Sequence, residues 1–353
     1  MALKLYYDYK LDLLAEQFAD TVYNRPAADN SAIALLQSHT VVVQTRGMAE
    51  FLRQYLAENS SIAANLDMPF LNSFVNRTLL QIYGNDFKNA ALRSDIEHMR
   101  YLIMQILCDE EYLKSDLAEL AGYIAGSNAK LKRWQLTGAI AEVFDHYQLY
   151  RSSDKLEEMF KSTGDTGIWQ HNLYHKLFNA TTPRRDHYFR RFAAEELTWE
   201  QKQNLPQELT VFGVGAMPPE YLNFFVRLSR YCQVNFFYLT PCLEYWENQK
   251  SRREVKKPEA WEIAEAGNPL LQELGRQGRS FFSCMMNHED ISSQMEPAFA
   301  GGPNDYPAGS SMLEIMQYDI RYLFDRRQAP EMMNTAFCKQ SASRVMICTM
   351  TAP

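Results

Sequence analysis

TVVVQTRGMAEFLRQYL, residues 40–56, sets the problem this chain poses. A β-branched run, Val41–Val43, meets a glycine turn. Met48, Phe51, Leu52 and Tyr55 then recur at helical spacing. Strand, turn and helix in that order form the layout on which P-loop enzymes hold a triphosphate. A phosphate cradle also needs several consecutive backbone N–H groups, a Lys for the β/γ-phosphates and a Ser or Thr for magnesium. QTRGMAE (44–50) offers one glycine, no Lys and no following Ser or Thr. Glu50 adds negative charge where phosphates would sit, and GxxxxGK[ST] occurs nowhere in the chain. The stretch keeps a nucleotide-site scaffold and omits the groups that bind nucleotide.

The chain is 353 residues long, beyond the roughly 250–300 at which single cores stop growing, so at least two structural units are expected. At 46% hydrophobic and 22% charged it reads as an ordinary folded soluble protein. The net charge of -7 excludes a uniformly basic nucleic-acid binder but leaves room for a local basic groove, because a phosphate senses nearby charge. None of the six cysteines forms CxxC, and buried free thiols in a reducing compartment are expected. No apolar stretch approaches a membrane span, so we expect a cytoplasmic protein with no membrane partner.

Outward from the opening stretch, LKLYY (3–7) reads as a first strand and KLDLLAEQFADTVYN as a helix. From Asp86 to Glu200 the pattern is helical almost throughout, with ALRSDIEHMRYLIMQILCD read as a single helix. Strand signals return at ELTVFGVG (208–215) and YCQVNFFYLT (231–240), around a helix that starts at a proline. A parallel sheet thus begins at the N-terminus, is interrupted by helices and resumes. Residues 285–311 read as a surface loop, 311–327 as an amphipathic helix and SRVMICTM (343–350) as a last strand. A chain ending just after a strand is expected to be part of a longer polypeptide.

Several patterns suggest chemistry and stop short of it. His171 and His175 have zinc-ligand spacing, but Asn172 stands where a zincin needs Glu, so packing or solvated histidines are expected. The acidic runs Asp109–Glu111 and Glu195–Glu196 read as solvated helix faces, and GxSxG is absent. No catalytic site is expected. PRRDHYFRRF (183–192) has two readings. Its Arg and aromatic residues suit phosphates and unpaired bases, or they form a helix with core aromatics and solvated cations. KLKRW (130–134) and SRREVKK (251–257) read as plain surface.

Seven segments together resemble the RecC family, the gamma chains of exodeoxyribonuclease V. They are VQTRGMAEFL (43–52), SIAANLDMPFLNSFV (61–75), FDHYQLYR (144–151), VFGVGAMPPEYL (211–222), YLTPCLEYW (238–246), GNPLLQELGRQGR (267–279) and MLEIMQYDI (312–320). They stand in the family's order across nearly the whole chain. The resemblance implies an α/β fold with a P-loop, superfamily-1 helicase-like parallel sheet core that has lost its ATP motifs. Residues 1–85 and 201–353 would form that core, and residues 86–200 an all-helical insertion. It implies a non-catalytic, DNA-handling subunit of a RecBCD-type helicase–nuclease in double-strand-break repair. Such a subunit binds single-stranded and forked DNA, scans for a Chi-like sequence and works with RecB-like and RecD-like helicase subunits. ATP and magnesium are then expected only on those partners, with no cofactor here. Carried over by motif, the DNA-facing positions are Gln44, Arg46, Glu50, Phe70, Asn76, Glu142, Val143, Asp145, His146, Arg151 and Arg185. Arg46 stands for a small hydroxyl residue, Glu50 for an amide and Asn76 for an aromatic. Two rival readings remain: a scaffold that contacts only the helicase partners, and an AddB-like helicase/nuclease with its catalytic part elsewhere. A domain built for a complex is also expected to expose an apolar or aromatic patch.

Overall fold

The computed structural model describes residues 3–24, 38–60, 63–151, 153–162, 168–178, 184–242, 246–247, 267–292, 295–297 and 311–325. Its sheet has six strands, β1 (Leu3–Asp8), β2 (His39–Val43), β3 (Leu66–Asp67), β4 (Glu208–Phe212), β5 (Gln233–Leu239) and β6 (Met295–Pro297). They lie in the order β3-β2-β4-β5-β1-β6. The pairs β1–β5, β1–β6, β2–β3 and β2–β4 are all parallel, with Val42 opposite Val211 and Leu5 opposite Phe236. Strands of a parallel sheet are covered on both faces, which is why Val41, Val42 and Val43 run without polar alternation and are all buried.

Sixteen helices are described: α1 (Leu11–Phe18), which runs on into a π-helical turn (Ala19–Tyr23), α2 (Arg46–Asn59), α3 (Leu71–Arg93), α4 (Ile96–Leu107), α5 (Glu110–Ser115) and α6 (Ala118–Ile124). Then come α7 (Ala129–Tyr150), α8 (Ser153–Ser162), α9 (Ile168–Leu177), α10 (Arg185–Ala194), α11 (Trp199–Gln203) and α12 (Pro219–Leu228). The last are α13 (Pro269–Leu274), α14 (Arg276–Met286), α15 (Glu289–Ser292) and α16 (Met312–Arg321).

The chain divides into two compact units. One, from Leu3–Met68, Leu209–Ala216 and Val234 onward, holds the sheet. Its core gathers where the apolar face of α1 meets the strands. Phe18 packs edge-on against Phe212 and Phe237, at 5.9 and 5.6 Å between ring centroids, and Tyr6 stacks on Phe237 at 4.8 Å. Each such ring contributes roughly 1.5–3 kcal/mol by leaving water.

The other unit, Pro69–Glu208 and Met217–Gln233, is helical. Met99, Ile103 and Leu107, four residues apart on α4, pack with Ile140, Ala141 and Phe144 of α7 and with Leu173, Tyr174 and Leu177 of α9. Phe144 meets Tyr174 edge-on at 5.0 Å.

Three local expectations change. The single helix expected over 91–109 is two: α3 ends at Arg93, and Asp95 caps α4 by accepting the His98 N–H at 3.1 Å. A competing acceptor in the side chain of Asp95 starts a new helix where periodicity alone continues the old one. Residues 285–297 carry the end of α14, α15 and β6, so this part of the expected loop supplies an edge strand to β1. Of the thiols, Cys232 and Cys242 are buried, while Cys108 and Cys284 are exposed. Burial pushes the Cys232 thiol up to about 12. Cys338, Cys348, SRREVKK and the expected strand at 343–350 lie outside the described residues. Among the described residues no helix is long and apolar enough to cross a membrane.

Candidate nucleic-acid interface

In the sheet unit, only Gln44 and Thr45 separate β2 from α2. Thr45 caps the helix: its Oγ1 accepts the Met48 N–H at 3.2 Å and its carbonyl accepts the Ala49 N–H at 3.2 Å. One of the first-turn donors that greet phosphate at a P-loop helix, the Met48 N–H, is here used by the chain itself. Gln44 Oε1 accepts the Gly215 N–H at 3.3 Å, tying the turn to the segment after β4. Gly213, at φ +64°, lies under the Met48 side chain so closely that a Cβ there would stand 2.6 Å from the Met48 Cε. Above this packing Gln44, Arg46 and Glu50 are exposed. Glu50 pairs at the surface with Arg53 at 3.5 Å, and Arg46 makes no ion pair among the described residues.

The end of β1 is built alike. Asp8 is buried, and its Oδ1 accepts the Lys10 N–H at 2.8 Å just before α1. Its Oδ2 has no hydrogen-bond partner. Burial raises the carboxyl above the usual range, opposed by the Lys10 and Tyr9 N–H groups and by the charges of Lys10 and Arg321.

The helical unit holds the other carried-over positions. Phe70, 48% exposed, stands at the start of α3, where its carbonyl accepts the Phe74 N–H at 2.9 Å. Asn76 is half-buried on α3, and its Oδ1 has no hydrogen-bond partner. Glu142, Val143 and His146 form one exposed face of α7. Val143 also lines, with Leu136, Ile140, Trp169 and Gln170, a cavity of about 260 Å³. His146 meets Tyr150 edge-on at 5.9 Å. Arg151, ending α7, lies over the Tyr147 ring at 4.7 Å and donates to the Met159 sulfur.

On the basic stretch of α10 the aromatics are core, as in the second of its two readings, but the arginines are paired with carboxylates and Arg185 is buried where that reading expected solvated cations. Tyr188, Phe189 and Phe192 are buried. Arg184 pairs with Asp186 at 2.9 Å, Arg190 with Asp186 at 3.6 Å and Arg191 with Glu195 at 2.9 Å. Arg185 is buried, its backbone N–H donates to Ser94 Oγ, and its guanidinium meets Asp145 at 3.2 Å. Burial raises the Asp145 carboxyl, and Arg185 offsets this only in part. Of the carried-over set, then, Asp145 and Arg185 are joined to each other, and Arg151 is packed on its own helix. His171 and His175 lie 4.3 Å apart between ring centroids and pack on Phe160. Among the described residues no group of three His, Cys, Asp or Glu side chains is placed to hold a metal.

Asp8 and Gly213 escaped the sequence reading, and Met48 entered it only as one of the helix's apolar residues. The Gly-x-Gly of VFGVG was the available signal, since a glycine after a strand marks a close backbone approach.

The fold is thus that of an α/β protein whose strand–turn–helix junctions are filled by their own side chains. Residues 3–323 match the family described as RecC, N-terminal domain, and the chain belongs to that family. It is similar to the RecBCD enzyme subunit RecC of Escherichia coli K12, 25% identical over 365 residues that cover 93% of this chain and 31% of that protein. The RecBCD enzyme subunit RecC of Haemophilus influenzae Rd is 24% identical over 353 residues, 81% of this chain and 30% of that protein. The chain therefore spans about a third of the length of these relatives.

Proposed function

We propose that this chain is the N-terminal part of a non-catalytic DNA-handling subunit of a RecBCD-type helicase–nuclease acting in double-strand-break repair. Its core is a superfamily-1 helicase-like sheet that has lost nucleotide binding. It binds single-stranded DNA at a fork, scans it for a Chi-like sequence and leaves ATP and magnesium to RecB-like and RecD-like partners. The observation that carries this reading is family membership over residues 3–323. The two-residue β2–α2 turn supports it: the Met48 N–H of the first helical turn is used by Thr45, and Met48 covers Gly213. Gln44, Arg46 and Glu50 on that turn, and Glu142, Val143 and His146 on α7, present exposed polar and apolar groups suited to base edges.

The test is binding of single-stranded oligonucleotides to the 353-residue chain, beside calorimetry with ATP and magnesium. Sequence-dependent DNA binding that changes in Gln44→Ala and Glu142→Ala variants is expected, with no ATP binding tighter than about 1 mM. No DNA binding at low salt would overturn the DNA reading, and tight ATP binding the non-catalytic one.

One observation favours the scaffold reading: every arginine of α10 is engaged with a carboxylate, so this basic stretch offers no uncommitted cation. Retention of a RecB-like helicase by a full-length protein that binds no DNA would select it.

A further inference from the structure

KLKRW (130–134) reads as ordinary surface in sequence, yet its Trp134 joins an exposed aromatic pair of the helical unit. Tyr101 on α4 is 59% exposed and Trp134 on α7 is 37% exposed. Their rings are 6.1 Å apart between centroids and tilted by 57°. The Arg100 guanidinium lies over the Trp134 ring at 3.7 Å. Gly138, one turn further along α7, lies beside it: a Cβ there would stand in ordinary contact, 3.7 Å from the guanidinium carbon.

Arg100 is held in place without being used. Its Nε is buried and has no hydrogen-bond partner among the described residues. Among the described residues no carboxylate pairs with it, although Glu97 lies one turn earlier on α4. Lys130, exposed one turn before Trp134, is likewise uncommitted. Lys132 donates to the carbonyls of Tyr123 and Ala125, and Arg133 pairs with Glu110. Two free cations therefore flank two exposed rings.

We propose that Tyr101, Trp134 and Arg100 form a sequence-independent stacking platform for single-stranded DNA. The rings offer π-faces to successive bases, and Arg100 and Lys130 meet the backbone phosphates. This rests on the single-strand reading above and extends it along one helix. Glu142 follows Trp134 by eight residues, about 12 Å along the axis of α7. Tyr, Trp and Arg also anchor protein partners. The unpaired, pre-stacked guanidinium and the neighbouring free ammonium favour an anionic polymer instead.

The test uses the 353-residue chain and a fluorescein-labelled thymidine oligonucleotide, with anisotropy followed over a salt series. Tyr101→Ala and Trp134→Ala should each weaken binding about tenfold, equally on purine oligonucleotides, because every base has a π-face. Trp134→Phe should keep most of the affinity. Arg100→Gln should flatten the log–log salt slope by about 0.7, and Arg100→Lys should restore it. Melting temperatures equal to the parent's show that the variants are folded. Full affinity and slope in the Tyr101, Trp134 and Arg100 variants would overturn the platform. The wider reading stands in that case if Gln44→Ala or Glu142→Ala still alters sequence preference. A Trp134→Ala protein that binds DNA normally but no longer retains a RecB-like subunit would mark a protein-docking patch and also overturn the platform. A parent chain that binds no oligonucleotide at low salt removes both readings together.

Discussion

The β2–α2 turn and helix α10 both carry arginine and both bear positions that the family resemblance assigns to DNA, yet they hold their charge differently. On the turn, Arg46 is exposed and unpaired, while the apolar neighbour Met48 is packed down on Gly213. On α10 the three arginines, and Arg184 just before it, are each matched to a carboxylate and the aromatics are core. The richer basic stretch is therefore the one whose cations are already paired within the chain. Cations in a sequence are not all uncommitted cations in the fold, because burying a guanidinium is costly and a nearby carboxylate offsets that cost.

The sharpest break in this contrast comes from Arg185→Ala. It leaves Asp145 half-buried without its cation, and a loss of about 3 kcal/mol is expected, read as a lower denaturant midpoint of the helical unit. The sign with pH follows from burial. The Asp145 carboxyl is already raised and rises further without Arg185, so the stability of the protonated form is present at low pH and lost as pH rises through the raised value. The deficit should be larger at pH 7 than at pH 4. An Arg185→Ala protein as stable as the parent would put Arg185 back among the available cations.

Gly213→Ala tests the packing beneath the turn. Positive φ costs a Cβ about 1–2 kcal/mol, and the Met48 side chain must also give way. Pairing it with Met48→Ala should recover the steric part and leave the φ part, as differential scanning calorimetry would show. Thr45→Ala removes the helix cap and should cost about 1 kcal/mol. The smallest effect belongs to Arg46→Ala. Stability should stay within about 0.5 kcal/mol, because the side chain is exposed and unpaired. The single-strand salt slope should fall by about 0.7 if Arg46 meets a phosphate. An unchanged slope would leave the turn with no better claim to DNA than α10.

Much of the architecture was legible. The apolar runs at 41–43 and 236–238 announced buried parallel strands, and the spacing of Leu14 and Phe18 announced the helix between β1 and β2. The failed boundary at Ser94–Asp95 shows the limit: one side-chain acceptor ends a helix that hydrophobic periodicity continues. The candidate site was less legible. Exposure of Gln44, Arg46, Glu142 and His146 follows from helix and turn periodicity, but the loss of Arg185 to Asp145 depends on a partner 40 residues away.

The sequence by itself determined that the chain alternates strands and helices, that its strand–turn–helix lacks the Lys and Ser/Thr of a phosphate loop, and that its motifs run in one family's order. Those are properties of neighbours along the chain, where periodicity and residue type act directly. Only the tertiary structure decided that Met48 and Gly213 fill the junction and that the arginines of α10 are committed. It alone left Arg100, on a helix with no basic run, lying unpaired over Trp134. Which charge remains available is set by side chains distant in sequence, because desolvation and pairing are properties of the packed neighbourhood and not of the residue.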